Sequence, residues 1–89
     1  MNRRTYLFSG HVQGVGFRYT AHHAARGRDV TGFVRNLPDG RVELVMEGPN
    51  AEMDAVLETI RGHMGDNISR TTCDTNPASG ECTNFTIKH

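Results

Sequence analysis

The stretch Gly10-His11-Val12-Gln13-Gly14-Val15-Gly16-Phe17-Arg18 constrains this chain more than any other. It leaves a short apolar run, Arg4 to Ser9, with Tyr6 and Phe8 on one face and Leu7 on the other. It enters a segment, Arg18 to about Arg28, in which Phe17, Ala21 and Ala24/Ala25 recur at helical spacing. A loop between a strand and a helix can converge its own N–H groups and the helix's unpaired first N–H groups on one point, which attracts an anion. Gly14 and Gly16 permit that convergence, because amides curl inward only where no Cβ clashes. Arg18 adds a forked guanidinium that matches two oxygens of a phosphate.

The stretch is neither of the two familiar nucleotide signatures. A P-loop ends in Gly-Lys-Ser/Thr, whereas Gly16 is followed by Phe17 and Arg18; the dinucleotide fingerprint needs a third glycine where Tyr19 stands. On spacing alone, a tight turn with a solvated arginine competes with a phosphate cradle built from Gln13, Gly14, Val15, Gly16, Phe17 and Arg18.

Downstream, Val30 to Asn36 has strand composition, and Pro38-Asp39-Gly40 supplies a turn: proline fixes φ, aspartate bonds the backbone and Gly40 can take positive φ. Arg41 to Glu47 alternates as a half-buried strand should. Gly48-Pro49 ends it, Asn50 is an N-cap candidate, and Met53, Val56, Leu57, Ile60 and Met64 form one apolar helical face. Ile68 to Asp74 is a weak strand, Asn76 to Gly80 reads as a turn, and Asn84 to Lys88 is a short extra strand. In order this is β-α-β-β-α-β plus one strand. Right-handed crossovers then put both helices on one face of an antiparallel-rich sheet, the α+β, ferredoxin-like α/β sandwich.

With 89 residues there is room for one domain, 1–89. Ten basic residues balance ten acidic ones, so no global field draws the chain to nucleic acid or membrane, and few aromatics argue against RNA on the sheet face. No apolar run approaches a membrane span or a signal-peptide core, which points to the cytoplasm. Cys73 and Cys82 are free thiols by default in that compartment, although a hairpin about Asn76–Gly80 could bring them face to face. His11 reads as a solvated loop residue, adjacent His22 and His23 point about 100° apart and cannot share a metal, and His63 and His89 lack ligand-spaced companions. His22, Arg26 and Arg28 fall toward solvent, and Asn36 before its turn has the ordinary alternative of bonding that turn.

Gly10-x-Val12-Gln13-Gly14-Val15-x-Phe17-Arg18, followed by Gly32-Phe33-Val34-Arg35-Asn36 and Asp39-Gly40-x-Val42, resembles the two signature blocks of the acylphosphatase family. The match is close from Tyr6 to about Gly48 and looser beyond. The resemblance implies the ferredoxin-like fold, a small-molecule acyl phosphate substrate, and Arg18 and Asn36 as catalytic residues. A carboxylate leaving group requires no metal and no organic cofactor, and we expect a monomer, although the sequence leaves the oligomeric state open. Arg18 and the Gln13–Arg18 amides would hold the phosphoryl group, and Asn36 would orient the attacking water. The alternative is a non-enzymatic ferredoxin-like module that binds a phosphate ligand or a protein.

Overall fold

Tyr6 and Phe8 alternate inward along the first strand, β1 (Asn2–Gly10), and pairing of Asn2 with neighbouring strands on both sides makes it two residues longer at its start than its apolar content suggests. The helix α1 (Phe17–Ala25) follows the glycine loop, then β2 (Thr31–Asn36), β3 (Val42–Gly48) and α2 (Asn50–Met64). A single 3₁₀ turn, Gly65–Asn67, leads into β4 (Ile68–Pro77), and β5 (Phe85–Lys88) ends the fold. The computed structural model describes residues Met1–His89. The sheet order is β4-β1-β3-β2-β5, with every neighbouring pair antiparallel except β2 and β5, which run parallel. This is the expected ferredoxin-like α+β architecture, with both helices on one face.

The core lies between that face and the helices. Tyr6 and Phe8 of β1, Val34 of β2 and Val42, Leu44 and Met46 of β3 meet Phe17, Ala21 and Ala25 of α1 and Met53, Val56, Ile60 and Met64 of α2. Each large apolar side chain fully buried there contributes about 1.5–3 kcal/mol. Phe17 is the joint between loop and core: its ring packs 4.8 Å from that of Phe8, centroid to centroid.

Two expectations are corrected. Asn50 does not cap α2; it is the first helical residue, because Pro49, with φ −62°, precedes it and its carbonyl accepts from the Glu52 and Met53 amides. The Asn50 side-chain oxygen instead accepts from Asn2. Nor do residues 76–80 turn a hairpin. β4 stays paired with β1 as far as Pro77, and the chain then crosses to the opposite edge, where β5 adds beside β2. Cys73 and Cys82 are therefore not hairpin partners, and both are free thiols.

Glu47 explains the crossing. Its neighbour Met46 faces the helices, so alternation turns the Glu47 carboxylate to the other face. There it accepts from Arg3 (2.9 Å), the Ser79 hydroxyl (2.7 Å) and the Ser79 and Gly80 amides (3.0 and 2.9 Å). The strap from Ala78 to Asn84 is thus bolted under the sheet, between an Ala78–Met1 backbone bond and a Gly32–Asn84 one. Burial raises the Glu47 pKa, but the Ser79 and Gly80 donors and Arg3 outweigh it and hold the carboxyl at about 2.

Candidate active site

β1 and β2 both run antiparallel to β3, and β5 runs parallel to β2. The C-terminal ends of β1, β2 and β5 therefore lie at one end of the sheet. They deliver the Gly10–Arg18 loop, Asn36 and the terminal residues Lys88 and His89 to the same place. A pocket of about 440 Å³ opens there, lined by the loop's Val12, Gly14, Gly16, Phe17 and Arg18, by Asn36, and by residues of α1 and the C-terminus.

The loop's shape follows from its glycines. Gly14 and Gly16 have φ of 76° and 79°, the left-handed region that L side chains resist. A Cβ at either would meet nothing within 4 Å, so backbone conformation and not crowding demands glycine. Gly16 starts α1 without a side-chain cap. No amide from Val12 to Tyr19 takes part in the chain's turn, loop or cap bonds to main-chain carbonyls, which leaves a run of donors at the positive end of α1.

Asn36 comes from the last pair of the β2–β3 ladder, opposite Val42, and alternation puts it on the helix-facing side with Val34. The turn behind it is closed by hydrogen bonds. Leu37 and Arg41 are bonded across it, and the Asp39 carboxylate accepts from the Arg41 amide and guanidinium, which hold its pKa below the usual carboxylate range. Gln13 ties loop to turn: its side-chain amide donates to the Leu37 and Arg41 carbonyls at 2.8 and 3.0 Å.

Of the residues singled out from sequence, Gly14, Gly16, Phe17, Arg18 and Asn36 line the pocket, while Gln13 and Val15 do not. Gln13 spends its side chain on the turn, and Val15 packs against the core. Arg18 is half-buried; its Nη1 donates to the Lys88 carbonyl at 3.5 Å and lies 3.2 Å from Nδ1 of His89. His11 is exposed and outside the pocket.

The pocket also contains residues that sequence reasoning assigned to solvent or to no site. Tyr19, His22, His23 and Arg26 line its α1 wall, and Ile87 and His89 the β5 side. Arg18, His22 and Arg26 are spaced i, i+4, i+8, so one helical ridge was legible in the sequence. His89 had no such signal, because only the parallel pairing of β5 with β2 brings it here. Chemically, the arrangement brings two guanidiniums, Arg18 and Arg26, a run of unbonded main-chain donors and the Asn36 carboxamide to one pocket, a combination that can receive an anion.

The acylphosphatase family model matches residues 4–87 of the chain. An acylphosphatase of Nocardia farcinica is 42% identical over 77 residues, covering 85% of this chain and 77% of that protein. One from Haloarcula marismortui is 52% identical over 56 residues, 62% of each chain. The crystal structure of acylphosphatase from Bacillus subtilis superposes with a TM-score of 0.90 at 29% identity, covering the whole of both chains.

Proposed function

Since the chain belongs to the acylphosphatase family, and so hydrolyses acyl phosphates, we propose that the pocket at the end of β1 and β2 carries out that reaction. Family membership decides for a hydrolase over a non-catalytic binding module.

Arg18 and the amides of Gln13–Arg18 hold the phosphoryl oxygens, and the Asn36 carboxamide aligns a water opposite the bridging oxygen. Attack forms the new P–O bond as the P–O bond to the carboxylate breaks. The carboxylate leaves with the electron pair and, being a weak base, needs no general acid. The transition state is loose, with charge spread over the equatorial oxygens, so placement and donors supply the catalysis. The water's proton passes to a phosphoryl oxygen of the substrate, since no side chain in the loop stands as an oriented base. We read residues 1–89 as one monomeric catalytic domain, acting in the cytoplasm on small acyl phosphates without metal or cofactor.

The observation that supports this reading is that Arg18 and Asn36, eighteen positions apart, line one pocket with the positive-φ glycines between β1 and α1. The test is phosphate release from benzoyl phosphate. Arg18→Gln lowers kcat/KM by about 100- to 1,000-fold or more and weakens inhibition by inorganic phosphate. Asn36→Ala loses kcat on a similar scale while phosphate inhibition largely persists. Parallel loss of turnover and phosphate affinity in Asn36→Ala refutes the division of labour.

A further inference from the structure

The pocket is larger than the proposed cradle requires. At about 440 Å³ it could hold about 15 waters at ~30 Å³ each, several times the size of a phosphoryl group. Part of its wall is α1, where Arg18 is followed by His22 and, at the helix's C-cap, by Arg26, roughly 6 and 12 Å further along the axis at ~1.5 Å per residue.

The charged side chains lining the pocket are Arg18 and Arg26, beside the imidazoles of His22, His23 and His89, and no Asp or Glu side chain lines it. The chain as a whole is neutral. Its ion pairs engage Arg3, Arg4, Arg28, Arg35 and Arg41, and leave Arg18 and Arg26 without acidic partners. Arg18 has a role in the reaction proposed above; Arg26 has none. His22 is half-buried beside the Phe85 ring, 6.4 Å between centroids.

Building on that reading, we propose that Arg26, with His22, forms a second anion subsite, and that the substrate is an acyl phosphate whose acyl group carries its own carboxylate. The cradle offers free main-chain donors suited to a tetrahedral phosphoryl group. The second position offers only side chains, because α1 amides from Thr20 onward bond within the helix. One planar guanidinium fork matches the two oxygens of a carboxylate. A ring or a short dicarboxylic chain bridges the interval. Lining one pocket, the Arg18 and Arg26 guanidiniums can act together on a single dianion.

The experiment compares benzoyl phosphate with 4-carboxybenzoyl phosphate, which places a carboxylate across the ring from the anhydride. In the wild type KM for the carboxylated substrate is about threefold to tenfold lower, with kcat little changed, and the difference shrinks as salt rises. Arg26→Gln brings the two KM values together. Arg61→Gln, which removes the same charge from α2 away from the pocket, preserves the wild-type ratio. Equal KM values in the wild type, or a preference that survives in Arg26→Gln, overturn the subsite while leaving benzoyl phosphate hydrolysis intact. Absence of turnover on either substrate overturns the catalytic reading and the subsite together.

Discussion

Glu47→Gln removes one charge and keeps the side chain's shape, so it isolates the clasp that fastens the C-terminal strap. Glu47 is 5% exposed and accepts four hydrogen bonds, from Arg3, Ser79 and Gly80. Its carboxyl titrates near 2 in place of 4.5, a difference that corresponds to a ceiling of about 3 kcal/mol at ~1.36 kcal/mol per pH unit. In the variant an NH₂ faces donors it cannot accept from, so the expected loss at pH 7 is about 2–3 kcal/mol. In a domain of this size that lowers Tm by about 10–20 °C. The pH dependence has a definite sign. A carboxyl whose pKa is depressed by folding stabilises the fold fully above its ordinary value of 4.5, and the contribution fades as pH falls toward 2. Urea titrations of both proteins at pH 7 and pH 3, followed by circular dichroism, should show the gap narrowing by about 2 kcal/mol at the lower pH. Equal stability at pH 7, or a gap of the same size at both values, refutes the assignment of the clasp to the ionised carboxylate.

Three further substitutions separate the site from its support. Gly16→Ala and Gly40→Ala each force alanine into a positive φ, 79° and 94° respectively, at a cost of about 1–2 kcal/mol by thermal melts; only the first, which lies in the pocket, should also lower kcat/KM for benzoyl phosphate. Gln13→Ala deletes both bonds to the turn after Asn36, costs about 1–2 kcal/mol, and should reduce kcat more than affinity for inorganic phosphate; unchanged kcat would show that Asn36 needs no such tether.

The first two thirds of the fold were legible because each element carries its own period: alternation in β1 and β3, the Ala21/Ala25 and Met53/Val56/Ile60 faces in the helices, and a turn at Pro38-Asp39-Gly40 whose chemistry is local. In the last third the two strands were legible as short runs, Ile68–Asp74 and Asn84–Lys88, but the extension of β4 to Pro77, the partners of both strands and the strap between them were not, because tertiary contacts decide them. β4 is mostly polar and exposed from Ser69 on, and it is a strand because β1 offers it a ladder through Pro77. The strap is fixed by Glu47, a charge that reads from sequence as an ordinary exposed residue of a half-buried strand. The site divides the same way. Arg18 and Asn36 stand in recognisable blocks, and the His22/Arg26 ridge follows from helical spacing. The approach of His89 depends on a parallel pairing that no local pattern announces.

The burial of Phe17 sets which parts of the pocket are free to change. That ring stands in the core against Phe8, between Gly16 and Arg18, so the loop half of the pocket cannot be remodelled without disturbing the whole protein. Tyr19, His23 and Arg26 are exposed on the helix's outer wall and carry no such burden. Selection, or a protein engineer, can therefore vary the outer wall of the pocket while the loop beside it stays fixed.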